Sequence, residues 1–223
     1  MSEVKKYFTD IHKTTKSKKK KTIDKQNKSA ISISHKVTDQ THLVLGVRSF
    51  DIFNKNNSTL SILAGVLGVG MSSRLFNKLR EEMGVAYYVR AYNDASLDHG
   101  VFQISAGVTN SRVEEVLKEI LKECTRLKNE IVSDTELKKV KSFIIGNLKL
   151  SLESSDDIAN FFGMQELIKG EMKTIEEKAK LLNAVTANDV RNLARKIFVN
   201  KNLNLAIIGP IKDDKKLRAL LEI

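Results

Sequence analysis

Several residue types that often reveal a function are scarce in this sequence. Its 223 residues include no Trp, one Pro and one Cys. The single thiol, Cys124, cannot form an internal disulfide, so the sequence gives no indication of an oxidising compartment. Cys124 also lies in a stretch with helical periodicity, ILKECTRLK, which favours a buried structural thiol over a nucleophile.

Long apolar stretches are absent as well. No segment approaches the roughly 18 to 20 apolar residues that a membrane span requires, and the first residues contain no apolar core of a secretory signal. A mitochondrial presequence would be rich in Arg and poor in acids, whereas this terminus uses Lys and contains Glu3 and Asp10. These features predict a cytoplasmic protein, or one part of a larger one.

Positive charge is concentrated at one end of the chain. The net charge is +11, and residues 1–28, with ten Lys and three acidic residues, account for +7 of it. Residues 29–223 therefore carry only +4. We interpret residues 1–28 as a basic, solvated linker or tail. The alternative is a phosphate-binding arm of a nucleic-acid-binding module, but no aromatic and basic platform or recognition helix accompanies the lysines.

The sequence contains no arrangement of histidines typical of a metal site. The four histidines are His12, His35, His42 and His99. None has another His or Cys three or four residues away, the spacing that places two ligands on one helix face. His35 and His42 fall in two strands that we predict to be neighbours and could approach each other, but strand histidines are more often surface residues than ligands. We predict no metal site within this chain.

A glycine-rich segment, GVLGVGMSS (65–73), superficially resembles a phosphate-binding loop. It lacks the Lys-Ser/Thr ending of a P-loop and follows a predicted helix rather than a strand. We interpret Gly68 and Gly70 instead as a tight turn between two helices. The sequence also contains no G-x-S-x-G nucleophile elbow.

The hydrophobic periodicity predicts both strands and helices. Period-two alternation predicts a strand at residues 29–37, and a mostly apolar stretch predicts a second at 41–50. Further strands are predicted at 86–92, 100–108 and 202–210. Helical spacing predicts helices at 57–68 and 73–83 and through almost a hundred residues after residue 108. The predicted N-caps are Ser58 or Thr59, Ser111, Ser133, Thr174 and Thr186. This order predicts an α+β fold of two layers, with a mixed or antiparallel sheet covered by helices on one face, in a single domain spanning 29–223.

The break between the second predicted helix and the third strand carries the candidate site. Gly84 is placed to end the helix of residues 73–83, so that Arg80 and Tyr87 could meet at one edge of the sheet. A guanidinium and a phenol together can bind a peptide carbonyl, a carboxylate or an oxyanion. The alternative from spacing alone is structural: Arg80 pairs with a neighbouring Glu, and Tyr87 packs in the core.

The segment GVLGVGMSSRLFNKLREEMGVAYYVRAY (65–92) resembles the second-half signature of the insulinase/pitrilysin family of zinc metallopeptidases, in particular its mitochondrial-processing-peptidase-like bacterial members. The resemblance extends over most of the chain. It includes DQTHLVLGVRSFD (39–51), the helical segment 132–163 and the closing LNAVTANDVRNLARKIFVNKNLNLAIIGP (182–210). Val69 departs from the family pattern, because it interrupts the usual glycine pair.

The resemblance implies a fold, a partner and a site. Family members consist of two related halves that close around an unfolded peptide, and the first half carries the zinc-binding H-x-x-E-H motif. This chain lacks that motif and is similar to the second half, which contributes an Arg and a Tyr seven residues apart that reach the substrate. Arg80 and Tyr87 match that pair, with Gly84 between them.

From the resemblance we expect the substrate-binding C-terminal half of a zinc endopeptidase, inactive without a zinc-bearing N-terminal half. No catalytic residue is then expected in this chain, zinc belongs to the partner half, and the ligand is an extended peptide. Gly70 and Gly84 are expected to form the supporting turns. The alternative within the same fold is a non-catalytic interaction subunit.

Overall fold

The computed structural model describes residues 2–8 and 19–223 of the chain. The strands are β1 (Ala30–His35), β2 (Gln40–Ser49), β3 (Ala86–Ala95), β4 (Gly100–Thr109) and β5 (Asn204–Gly209). The α-helices are α1 (Ser2–Phe8), α2 (Asn57–Gly68), α3 (Val113–Asn129), α4 (Asp134–Leu150), α5 (Ser155–Lys169), α6 (Ile175–Ala184), α7 (Ala187–Ile197) and α8 (Lys215–Leu220). A π-helical segment spans Phe76–Glu82, and 3₁₀ turns occupy Asn110–Arg112 and Asn200–Asn202.

The sheet has five strands in the order β1-β5-β2-β4-β3. β1 runs parallel to β5, while the β5–β2, β2–β4 and β4–β3 pairs are antiparallel. The predicted α+β class with a mixed sheet is therefore confirmed. The prediction that the strands of His35 and His42 are neighbours is wrong, because β5 lies between β1 and β2.

One face of the sheet packs against the helices and forms the core. Alternate residues of β2 and β4, such as Leu45 and Ile104, are buried on this face and belong to the same apolar core as Leu63 of α2 and Ile120 of α3. Each fully buried side chain of this size stabilises the fold by about 1.5–3 kcal/mol. The residues between them in the strands point to the opposite face, which no helix of the described chain covers, and His42 there is exposed.

Three of the predicted helix caps are present. The Ser133 hydroxyl accepts the Glu136 N–H at the start of α4, and Thr174 and Thr186 form reciprocal capping boxes at the starts of α6 and α7. In each case a side-chain oxygen satisfies a backbone N–H that has no partner within the helix.

Two predicted caps are wrong. The residue that precedes α2 is Asn56, not Ser58 or Thr59, and its side chain makes no capping hydrogen bond. Ser111 does not cap α3, because the chain first makes a 3₁₀ turn and the helix starts only at Val113.

Residues 19–28 run across one end of the sheet, and we call this segment the strap. The Thr22 N–H donates to Asp98 Oδ2 at 2.7 Å, and the Arg48 Nε lies 3.0 Å from Asp24 Oδ2. Farther along, the Asn204 amide donates to Gln26 Oε1 at 2.9 Å. The strap thus contacts the β3–β4 hairpin, β2 and β5 before the chain enters β1. Of the rest of the predicted basic tail, Ser2–Phe8 form α1. Met1 and residues 9–18, which include His12, lie outside the described residues.

None of the helices within residues 2–8 and 19–223 combines the length and the apolar character that a transmembrane segment needs.

Candidate functional site

The helix that carries Arg80 is largely π-helical. The sequence predicts an α-helix over 73–83, but residues Phe76–Glu82 form a π-helix, in which the Met83 N–H donates to the Lys78 carbonyl at 3.1 Å. An α-helix and a π-helix would bury much the same apolar residues here, since Leu75 and Leu79 are buried in the structure as the α-helical prediction expects. Such wide turns are rare and often occur at functional sites, because they displace side chains from their α-helical positions.

The strand that carries Tyr87 begins with a β-bulge. Ala86 pairs with Val108 and Tyr88 pairs with Gly107, so Tyr87 has no partner across the ladder. Bulges change the direction of a side chain and end regular pairing. Because Tyr87 has no partner in the ladder, its carbonyl can accept a hydrogen bond from a side chain, and Arg80 Nη1 donates to it.

The Arg80–Tyr87 corner is open to solvent. The Tyr87 side chain is 52% exposed, so the alternative in which Tyr87 packs in the core is wrong. Arg80 is exposed too, and its guanidinium carbon lies 5.4 Å from the Phe76 ring centroid. Among the described residues, no carboxylate forms an ion pair with Arg80, contrary to the same alternative. The guanidinium is therefore held by a carbonyl and a ring, and neither neutralises its charge.

Two glycines with positive φ frame the corner. Gly84 has φ +63° between the π-helix and β3, and no atom lies within 4 Å of the place that a Cβ would occupy there. Gly70 has φ +84° and lies under the Phe143 ring, which a Cβ would approach to 2.9 Å. Gly84 is thus needed for its conformation alone, and Gly70 for conformation and space together.

A second pair of side chains lies beside the corner on the open face of the sheet. The Tyr88 hydroxyl is 3.1 Å from His42 Nδ1, and the two rings stack with centroids 6.0 Å apart. Tyr88 reaches His42 by lying across Gly107, whose Cβ would be only 2.4 Å from the tyrosine ring. The sequence alone assigns no role to Tyr88. The sequence signal for its contact with His42 is Gly107, a glycine that pairs with both residues in the sheet.

A second arginine of this region, Arg74, forms largely buried ion pairs. On a regular helix Arg74 would point away from the core, but its side chain is only 15% exposed. It donates to both oxygens of Glu136 at 2.8 Å, and its Nη1 lies 3.6 Å from the buried Glu123. The hydrogen bond to Glu136 raises the pKa of Arg74. This paired arrangement joins the turn after Gly70 to α3 and α4.

The described residues supply no ligand set for zinc. No group of three His, Cys, Asp or Glu side chains within 2–8 and 19–223 has a metal-binding arrangement. His42 has an aromatic partner and His99 lies beside Asp98. Cys124 is fully buried, and burial raises the pKa of its thiol, which disfavours the thiolate that binds metals.

Fold and site together define a class: a two-layer α+β domain with an exposed Arg–Tyr corner beside an open sheet face. The sequence profile of the peptidase M16 inactive domain matches residues 1–144. The chain belongs to this family, as an inactive C-terminal-type domain of a zinc-protease-like protein, and the predicted family resemblance is confirmed.

Curated relatives agree with this assignment. The chain is 35% identical over 175 residues to an uncharacterized zinc protease of Bacillus subtilis, an alignment that covers 78% of this chain and 42% of that protein. It is 33% identical to an uncharacterized zinc protease of Streptomyces coelicolor, covering 81% of this chain and 39% of that protein. The chain therefore spans about two-fifths of the length of these relatives.

Solved structures share the fold. A protease from Helicobacter pylori superposes with a TM-score of 0.82 at 24% identity, covering 92% of this chain and 50% of that one. A peptidase M16 inactive domain from Pseudomonas fluorescens gives a TM-score of 0.72 at 22% identity, over 83% of this chain and 44% of that one. At these identities the likeness shows the fold alone.

Proposed function

We propose that this chain is the substrate-binding half of a zinc endopeptidase, and that it holds an extended peptide against a zinc-bearing N-terminal half. Arg80 and Tyr87 contact the peptide in this arrangement. The observation that carries the proposal is the open corner, where the Arg80 guanidinium, without a carboxylate partner among the described residues, donates to the backbone carbonyl of Tyr87, a half-exposed residue that carries a phenol. Both groups donate hydrogen bonds and suit a peptide carbonyl or a developing oxyanion.

The surroundings of the corner also suit an extended chain. β3 is an edge strand of the sheet, and edge strands leave backbone groups free to pair with another segment. A groove beside β3 is lined by residues of the Gly68–Gly70 turn and by Tyr88, Arg90 and Tyr92. A peptide placed there would meet the polar and aromatic side chains that follow Tyr87 along β3.

Zinc and the group that activates water are supplied by the partner in this proposal. The relatives are described as zinc proteases, whereas the described part of this chain offers no ligand set. The role of this chain is accordingly to bind and orient the peptide, which can lower a reaction barrier substantially without any chemistry of its own.

The test is reconstitution. The purified chain is mixed with a zinc-bearing N-terminal half of the family, and cleavage of an unstructured fluorogenic peptide is followed. We expect cleavage only in the mixture. Arg80→Ala should lower kcat/KM about a hundredfold, since misplacing a substrate by about 1 Å has that effect. Tyr87→Phe keeps the ring and should lower it about tenfold, as expected for one lost hydrogen bond.

Arg218→Ala, on the exposed face of α8, removes the same charge away from the corner and serves as the control. Equal rates for Arg80→Ala and Arg218→Ala would remove Arg80 from the site. A stable complex of the two halves with no cleavage of any peptide would instead support the alternative function, a non-catalytic interaction subunit.

A further inference from the structure

A second cavity lies at the start of α2, between that helix and the helices α5 and α6. Its volume is about 580 Å³. Apolar side chains form much of its wall, including Phe53, Leu148 and Leu181. Phe53 is 58% exposed and Leu181 46% exposed, so apolar surface remains uncovered there. The cavity shares none of its lining residues with the Arg80–Tyr87 corner.

Lysines converge on this apolar cavity. Lys55, Lys169, Lys173 and Lys178 all line it, and Glu171 is the one acidic residue among the lining side chains. Glu171 forms an ion pair with Lys173. Within the described residues the other three lysines form no ion pair, so the cavity carries an excess of positive charge that a bound anion would offset.

Lys178 is partly buried against an aromatic ring. Its ammonium is 4.2 Å from the Phe161 ring centroid. Burial lowers the pKa of Lys178, and repulsion from Lys169 and Lys173 lowers it further. The charged form is thus held without an opposite charge, where an anion would stabilise it.

The start of α2 adds polar groups to the same wall. Asn57 and Ser58 line the cavity, and the residue before them, Asn56, provides no side-chain cap for the helix N–H groups. The first turn of a helix favours a negative charge, here as a supplement to the lysines.

We propose that this cavity binds a small amphipathic carboxylate, with its apolar body against Phe53, Leu148 and Leu181 and its carboxylate between Lys169 and Lys178. The apolar wall and the cationic rim together require both parts of the ligand. An inorganic anion would leave the apolar wall uncovered, and a neutral apolar molecule would leave the lysine charges unpaired.

Isothermal titration calorimetry of the full chain with octanoate tests the proposal, with octanol and inorganic phosphate as partial ligands. We expect saturable binding of octanoate at one site and much weaker binding of either partial ligand. Lys169→Gln and Lys178→Gln should each weaken octanoate binding about tenfold, because each removes a charge-assisted hydrogen bond. Ser61→Phe fills the cavity from α2, leaves every lysine in place and should abolish binding.

Lys180→Gln is the matched control, since Lys180 lies on α6, is exposed and does not line the cavity. It should leave octanoate binding unchanged. Equal weakening by Lys180→Gln would show attraction to the overall charge and overturn the proposal. Octanol binding as tightly as octanoate, phosphate binding in its place, or no binding of octanoate would each overturn it too. Thermal unfolding of every variant confirms that the fold is retained.

Discussion

Tyr88 reaches across Gly107 to His42 because position 107 has no side chain. A Cβ there would lie 2.4 Å from Tyr88 Cε1, which is closer than real contacts allow. We expect Gly107→Ala to turn Tyr88 away from His42 and to lower the free energy of unfolding by about 1–3 kcal/mol, as overpacking does. Chemical denaturation measures the change, and the histidine ring resonances report loss of the stacked pair.

Gly46→Ala provides the comparison at another glycine of the same face. Its added Cβ would meet Val101 Cγ1 at an ordinary 3.5 Å. Gly46→Ala should therefore cause no loss of stability, and its free energy of unfolding should rise by about 0.4–1 kcal/mol because the unfolded chain is less flexible.

A double variant tests the cause of the Gly107 effect. In a Tyr88→Ala background the penalty of Gly107→Ala should disappear, since the clashing ring is gone. A penalty that persisted there would mean that Gly107 has another role.

At the scale of the elements, the corner depends on two local irregularities, the π-helix and the bulge at Tyr87, joined by Gly84. Gly84 and Gly163 both have empty surroundings for an added Cβ. They differ in backbone, because Gly84 has φ +63° whereas Gly163 lies inside α5. Gly84→Ala should destabilise the protein by roughly 1–2 kcal/mol, the cost of a left-handed conformation. Gly163→Ala should stabilise it by about 0.5–1 kcal/mol through helix propensity.

Thermal and chemical unfolding of both variants give the sign directly. Because no neighbour is touched in either case, opposite signs isolate the backbone effect. The same sign for both would mean that Gly84 does not require the left-handed conformation. The turn between Arg80 and Tyr87 would then have a different backbone conformation.

The elements also show what the sequence could predict. Thr174 and Thr186 were predictable as caps, because a capping box joins residues three apart and needs no tertiary contact. The same pattern failed at Ser111, where the neighbouring Arg112 forms an ion pair with Glu115 and a 3₁₀ turn precedes α3. The π-helix was not predictable, since seven residues cannot distinguish a π from an α repeat when both bury Leu79.

For the site, the sequence predicts which residues take part but not how they are arranged in space. Arg80 and Tyr87 were identified from their spacing and from a family pattern, and the contact that joins them is a backbone hydrogen bond at a bulge. The partnership of His42 with Tyr88 depends on the register of three strands. Register between distant segments follows from the assembled core, which local patterns do not contain.

At the scale of the whole molecule, the fold closes through contacts between its two ends. β5 enters the sheet between β1 and β2, pairing Ala30 with Asn204 in a parallel register. No local pattern could place a strand from the end of the chain between the first two, and this is why the expected approach of His35 to His42 failed. The strap, residues 19–28, extends the same closure across the end of the sheet.

The strap gives the molecule an acid-sensitive contact. Hydrogen bonds from His99 and then from the Thr22 N–H lower the pKa of Asp98 from 3.8 to about 2. A carboxylate with a lowered pKa stabilises the folded state above its ordinary pKa, and this contribution is lost as the pH falls through the lowered value. The contact of Thr22 with the β3–β4 hairpin should therefore persist at about pH 4 and end only as the pH approaches about 2.

The Thr22 amide resonance, followed from neutral pH to about pH 1.5, measures this transition. We expect it to titrate with a midpoint near 2 in the natural chain and to show no such step in Asp98→Asn, which keeps the shape of the side chain without its charge. A core amide such as that of Leu45 separates release of the strap from unfolding, because it should not shift before the strap does. A midpoint near 3.8, the ordinary value, would mean that Asp98 does not hold the strap. In that case the start of the strap around Thr22 would have to be treated as part of the solvated basic tail, and only the contacts of Asp24 and Gln26 would hold the strap to the sheet.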